Sequence, residues 1–171
     1  MKKRYKVILY STITFFIIYF LVKKSIIDLN ILHENHINFI TINSVFAGFL
    51  FTSLGIMLSL AFNEALIKLE RTTIMDSIYV NIILGILFSI SSIIISISNL
   101  LLDFTNVKLV VIQEVFKYFM PTLELTLLLL TIFQFVLSVN NTRFVIRIVR
   151  NNIRKKFPDK ESMKKTLDKI K

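Results

Sequence analysis

The stretch GILFSISSIIISISN, residues 85–99, decides the fold class, because it is apolar enough for a lipid bilayer yet contains a glycine, five serines and an asparagine. It lies in the third of four long apolar runs in a chain of 171 residues that is 54% hydrophobic. A hydrocarbon core about 30 Å thick needs roughly 20 helical residues to cross it, which is longer than most buried soluble helices. We therefore predict an all-α protein, an integral membrane four-helix bundle, with spans at residues 7–22, 37–62, 78–102 and 118–139.

The first run is the shortest, and the basic start MKKRYK before it is also typical of a signal peptide. Lys23 and Lys24 follow the run directly, and no cleavage site of the Ala-x-Ala type appears after it. Retention of the segment as a signal anchor is therefore the favoured interpretation, and cleavage is the alternative.

The distribution of positive charge predicts the orientation of the chain. With four spans, both termini and the connection between the second and third spans share one side of the membrane, and that side holds 17 of the 21 Lys and Arg residues. The positive-inside rule then places both termini in the cytoplasm of a multi-pass cell-membrane protein. Two domains follow: a transmembrane domain at 1–141 and a basic cytoplasmic tail at 142–171.

Small and polar residues of the third run fall on one helical stripe. They follow steps of three and four residues, the spacing of one face of a packed helix: Asn81, Gly85, Ser89, Ser92, Ser96 and Asn99. The second run has a shorter stripe: Ser44, Gly48, Gly55 and Ser59. Small residues at this spacing let helices approach closely and hydroxyls bond between them. The stripes indicate either a packed seam between the second and third spans or a water-filled pore path in an oligomer.

Glu124 is the one charged residue inside the four runs. A charge within a membrane is costly and usually functional, so a pore-lining or proton-linked carboxylate is one interpretation. Pro121 precedes it by three residues, and proline suits the first turn of a helix. In the alternative interpretation, the fourth helix begins near Met120 and Glu124 is a stabilised acid at its positive end.

The tail begins with four arginines on one helical face: Arg143, Arg147, Arg150 and Arg154. Apolar residues fall elsewhere on the same helix, so we predict a basic amphipathic cytoplasmic C-terminal helix that binds anionic lipid headgroups. The net charge of +10 would also suit nucleic acid. Because most of this charge lies at a membrane surface, we expect no direct binding of nucleic acid.

Sequence features of catalysis are sparse. The chain has no cysteine, and its one metal-like cluster, His33, Glu34 and His36, lacks the four-residue histidine spacing of the helical zinc motif. No phosphate-binding glycine loop or nucleophile elbow is present, so we expect a protein that is not an enzyme and needs no metal or cofactor.

The stretch FAGFLFTSLGIMLSL, residues 46–60, with the serine-rich third span, resembles small four-helix membrane proteins of bacterial defence islands, such as the membrane subunit of the Kiwa anti-phage system. The resemblance covers the second and third spans and implies an oligomeric component that works with a cytosolic partner in antiviral defence.

Two functional hypotheses follow. The first is a non-enzymatic, homo-oligomeric inner-membrane sensor or effector subunit with a cytosolic protein partner. The alternative is a small transporter, channel or bacteriocin-immunity-type protein that uses Glu124. Transporters usually contain inverted repeats and broken helices, and no repeat is evident here, which favours the first hypothesis.

Overall fold

The computed structural model describes residues 2–60, 66–67, 69, 73–101, 110–156 and 168, and within these ranges it contains no strand. Its helices there are α1 (Lys2–Lys23), α2 (Leu29–Glu34), α3 (His36–Ser59), α4 (Thr73–Leu101) and α5 (Val110–Lys156). The prediction of an all-helical chain with long apolar helices is therefore confirmed for the described residues.

Three of the described helices are long and apolar enough to cross a membrane: His36–Ser59, Ile74–Leu101 and Phe116–Arg154. They correspond to the second, third and fourth predicted spans. The apolar part of α1, Leu9–Lys23, is shorter. The count of four spans is therefore not confirmed and stays a prediction, because α1 has the position of a first span but not its full apolar length.

The distribution of polarity in the bundle is the reverse of that in a soluble protein. Large apolar side chains point outward from every long helix; Phe16, Phe49, Ile94 and Phe133 are all more than half exposed. The fully buried positions include the polar residues Ser92, Asn43 and Glu124. An apolar exterior around a polar interior matches a lipid environment, in which polar groups must find partners within the protein.

Helix α4 packs against both α3 and α5, while α1 packs against α5. One apolar cluster joins α3, α4 and α5 at the end of the bundle away from α2; it comprises Leu50, Met57, Leu66, Met75, Ile78, Ile82, Ile86, Val145 and Val149. A smaller cluster joins α1 to α2 and comprises Ile18, Val22 and Leu32, with Tyr118 and Leu125 of α5 against it. The buried polar residues near His36 lie in the half of the bundle that contains the smaller cluster.

Short turns separate α1, α2 and α3. Ser25 has a φ of 57°, in the left-handed region, and the Ile26 amide donates to the Leu21 carbonyl at 3.0 Å, which ends α1. Asp28 caps α2 by accepting from the Asn30 amide at 2.9 Å. Helix α3 begins directly after Asn35, and its first residue, His36, is buried in the bundle.

Pro121 lies inside α5 and not at its start. The helix begins at Val110, so the predicted start near Met120 is wrong. Pro121 lacks the N–H that would bond the Lys117 carbonyl, and membrane helices tolerate such a proline where other groups take up the freed carbonyl. The next carbonyl along the helix, that of Tyr118, accepts from the Thr122 hydroxyl at 2.6 Å. Helix α5 then continues to Lys156 across the predicted domain boundary at residue 141, and residues 157–167 and 169–171 of the predicted tail lie outside the described part of the chain.

Candidate functional site

The centre of the candidate site is the carboxylate of Glu124, a side chain with no solvent exposure. Its Oε2 atom lies 2.8 Å from His36 Nδ1 and accepts from Asn99 Nδ2 at 3.0 Å. Its Oε1 atom accepts a short hydrogen bond from the Ser96 hydroxyl. The acid on α5 is thereby bound to one residue of α3 and two of α4, so a single carboxylate joins three long helices.

His36 is the first residue of α3, and only 4% of it is exposed. The first turn of a helix has unpaired backbone amides and a partial positive charge, both of which favour a nearby carboxylate. A buried ion pair persists only when further hydrogen bonds satisfy its charges. Ser96 and Asn99 supply such bonds to Glu124 in this site.

A second polar layer lies next to the His36–Glu124 pair and joins α3 to α4. Asn43 Nδ2 donates to the Ser92 hydroxyl and to the Phe39 carbonyl, each at 2.9 Å. The Ser89 hydroxyl donates to the Asn43 carbonyl, and the Ser92 hydroxyl lies 3.5 Å from the Glu124 carbonyl oxygen. The two layers form one hydrogen-bonded network in the interior.

The predicted stripe of the third span forms the α4 side of this network. Gly85, Ser89, Ser92 and Ser96 are buried, while Asn81 and Asn99 at its ends are half-buried. A Cβ on Gly85 would lie 2.9 Å from Leu50 Cδ1 and 3.0 Å from Gln134 Cβ, so the glycine permits the close approach of α3 and α5. The stripe therefore packs against α3 and α5 of the same chain, and the water-filled path in an oligomer stays a prediction.

The predicted stripe of the second span has a different position. Ser44, Gly48, Gly55 and Ser59 are all exposed on α3, and a Cβ on either glycine would meet nothing within 4 Å. The predicted seam with the third span is therefore not made by these four residues. The face of α3 that packs inward instead follows steps of seven: His36, Asn43, Leu50 and Met57.

Glu124 lies well inside α5, which begins at Val110, so the interpretation of a stabilised acid at a helix start is wrong. What stabilises the carboxylate is a set of side chains from other helices. Its partner His36 was identified in the sequence only as part of a metal-like cluster, and Asn43 was missed. The seven-residue spacing from His36 to Asn43, carried on to Leu50, was the available signal.

His33 lies on α2 beside the pair, and its ring meets the His36 ring edge to face with centroids 5.7 Å apart. Partial burial and the nearby His36 lower the pKa of His33 from its ordinary value of 6.5. Among the described residues, no group of three or more His, Cys, Asp or Glu side chains is arranged to hold a metal ion. The acid and base side chains of this cluster, His33, His36 and Glu124, are of the type that exchange protons.

The four arginines of the predicted lipid-binding face are all exposed on the last turns of α5. Val145 and Val149 on the opposite side of the same segment are buried against α3 and α4. The exposed basic face of α5 thus comprises Arg143, Arg147, Arg150 and Arg154. Their binding to lipid headgroups stays a prediction.

No family model, curated protein or solved structure matches this chain.

Proposed function

We propose that this protein is a non-enzymatic membrane sensor subunit in which protonation of the His36–Glu124 pair controls the packing of α3, α4 and α5. The observation that carries the proposal is that one buried carboxylate on α5 contacts residues of two other helices, α3 and α4. His33 on α2 lies beside the pair, and Lys117 on α5 acts electrostatically on His33. A sensor needs two states whose balance a ligand can shift, and a proton at this pair is such a ligand.

The physical basis is the cost of an unpaired charge in a site without solvent. When His36 is protonated and Glu124 is ionised, each charge has a partner 2.8 Å away. Neutralising one member leaves the other as a buried charge with no counter-charge, which is strongly unfavourable. Helix rearrangement that admits water or a new partner relieves this cost, so a local proton event becomes a change in helix packing.

We place four spans in the cell membrane, with α1 as the first and both termini in the cytoplasm. The 17 basic residues expected on one side support this orientation. The His36–Glu124 pair then lies in the outer half of the membrane, with His33 near the outer surface. The basic face of α5 lies at the inner surface, where anionic lipid headgroups are its nearest counter-charges.

A homo-oligomer and a cytosolic partner complete the proposal. The exposed small residues of α3, Ser44, Gly48, Gly55 and Ser59, would let the same helix of a second copy approach closely. The basic tail would recruit the cytosolic protein, and the resemblance of residues 46–60 to defence-island proteins supports a role in anti-phage defence. Survival of cells with and without the gene after phage challenge tests the role in defence. The oligomer is tested by comparing the particle mass of Gly48→Ile in detergent with that of the unchanged protein.

The sensor itself is tested by a distance measurement. The chain has no cysteine, so spin labels are attached at Thr41→Cys on α3 and Leu129→Cys on α5, both exposed positions. We expect the distance distribution to depend on pH. The same labels in a Glu124→Gln background should give a clearly smaller dependence on pH, because the buried pair is gone while His33 beside it remains. An identical pH response in both backgrounds would reject the proposal.

A transporter that uses Glu124 as its coupling group is the second candidate. The burial of the carboxylate inside the bundle favours it, because intramembrane acids often mark ion pathways. Proteoliposome flux assays separate the two functions. A transporter loses all flux in Glu124→Gln, whereas the sensor predicts a pH-dependent structural change without net solute transport.

A further inference from the structure

The inner face of α5 continues as a line of buried polar side chains beyond Glu124. Along one stripe come Thr131, Gln134, Ser138 and Thr142, all at least nine-tenths buried. From Glu124 to Thr142 is about 27 Å along a helix that rises 1.5 Å per residue. The line therefore extends from the His36–Glu124 pair to the basic end of α5.

Several polar atoms on this line have no hydrogen-bond partner within the described residues. They are Gln134 Oε1, Ser138 Oγ and Thr142 Oγ1, and the buried Asn43 Oδ1 beside Ser92 shares the property. An unsatisfied polar group in a membrane interior costs several kcal/mol, so these atoms need partners that the described side chains do not supply. Water is the partner that polar cavities in proteins ordinarily contain.

The register of α4 against α5 places a second polar stripe opposite the first. Ser96 bonds Glu124, and Gly85 lies against Gln134. Because the two helices are antiparallel, one further turn brings Asn81 to the level of Ser138. The line on α5 therefore faces a mixed surface of α4, with Ser96 and Asn81 at its two ends and Gly85 and the buried Ile82 and Ile86 between them.

We propose that the seam between α4 and α5 is a hydrated path for protons that links the His36–Glu124 pair to the start of the basic segment of α5, at Thr142. Protons move along it by exchange between water and the hydroxyl and amide groups of the two stripes, with no net chemical change in the protein. The proposal deepens the proposed function, since it supplies protons to the same pair. The supply of protons to the pair rests on the proposed function, whereas the presence of water in the seam is tested separately.

The silver ion tests the path, because it is small, charged and reacts with thiolates. Single cysteines are introduced at Gln134 and Ser138 on the path and at Val136, which is half exposed on the lipid side. Asn151→Cys, at an exposed position of α5, reports full access to solvent. The protein is placed in lipid nanodiscs, exposed to silver ions, and then denatured so that the remaining free thiols are counted with a fluorescent maleimide.

We expect Gln134→Cys and Ser138→Cys to react nearly as fast as Asn151→Cys. Val136→Cys should react roughly a hundredfold more slowly, since charged ions enter hydrocarbon poorly. If both path cysteines react as slowly as Val136→Cys, the seam is dry and the proposal is wrong. Silver accessibility does not require a pH response, so failure of the path and failure of the sensor are separate results.

A second measurement avoids cysteine variants. Thr142→Val removes a hydroxyl with almost no change in shape. In a hydrated path the hydroxyl is paired with water, so its loss should lower the melting temperature of the purified protein. In a dry seam the same substitution removes an unpaired buried polar group, which should raise the melting temperature. A higher melting temperature would therefore contradict the proposed path.

Discussion

His36 and Glu124 are 88 positions apart in the sequence, and their side chains lie 2.8 Å apart in the interior of the bundle. This contact joins the first residue of α3 to an interior position of the much longer helix α5. Ser96 and Asn99 of α4 donate hydrogen bonds to the same carboxylate. Because the exterior is apolar, the polar network is the part of the interior that specifies how the helices pair.

Loss of either member of the pair should destabilise the bundle. We expect Glu124→Ala to lower the free energy of unfolding by about 3–5 kcal/mol, since it leaves a buried histidine without its counter-charge. His36→Ala should have a similar effect, and the double variant should cost clearly less than the two single losses combined. Unfolding of the purified protein in mixed detergent micelles measures these values. Glu34→Ala, at an exposed acid on α2, is the matched control and should change little.

Two adjacent serines allow a matched test of the α3 to α4 contact. Ser92 is buried and bonded to Asn43, whereas its neighbour Ser91 is exposed on the same helix. Ser92→Ala should lower the unfolding free energy by about 0.6–1.7 kcal/mol, the range for hydrogen bonds between membrane helices. Ser91→Ala should leave it nearly unchanged, and equal effects of the two substitutions would mean that the stripe does not face inward.

The glycines of the chain should respond to alanine in opposite ways. Gly85→Ala places a methyl group against Leu50 and Gln134, and such overpacking costs about 1–3 kcal/mol. Gly48→Ala and Gly55→Ala meet nothing within 4 Å, and alanine is the better helix former, so stability should hold or rise. Thermal unfolding of the three variants side by side checks this, and the predicted order is contradicted if Gly85→Ala is as stable as the other two.

The lowered pKa of His33 predicts how stability depends on pH. A histidine whose folded-state pKa is depressed binds fewer protons in the folded state than in the unfolded state. Its stabilising contribution is therefore complete above its ordinary pKa of 6.5 and is lost as the pH falls from there through the lowered value. Unfolding measured across this range should show a smaller loss on acidification in His33→Gln. A larger loss of stability on acidification in that variant would show that the direction of the pKa shift is wrong.

The outward arginines should bind anionic lipid in a salt-dependent way. In nanodiscs that mix phosphatidylglycerol with phosphatidylcholine, the protein should retain anionic lipid, and high salt should weaken the retention. Replacing Arg143, Arg147, Arg150 and Arg154 with glutamine should abolish the preference for anionic lipid. Substituting the exposed residues Asn140 and Asn151 with glutamine is the control and should leave the preference intact.

Spacing along a single helix predicted the α4 side of the site but not its partners. Steps of three and four identify which residues share a face, and Gly85, Ser89, Ser92 and Ser96 of the predicted stripe are all buried. The α3 stripe shows the limit of this inference. Both the small residues at 44, 48, 55 and 59 and the residues at 36, 43, 50 and 57 form regular faces, and spacing alone does not tell which face turns inward.

The sequence by itself determined that the chain is helical, that its long helices are apolar enough for a membrane, and that one acid lies among them. Those properties depend on local composition and on the energetic cost of unpaired backbone groups in lipid. Only the tertiary structure decided that Glu124 pairs with His36, that α5 passes through Pro121 without ending, and that the glycines of α3 face outward. These features depend on which faces of the helices pack together. In lipid, apolar burial favours no particular pairing of faces, so contacts between side chains far apart in the sequence determine it.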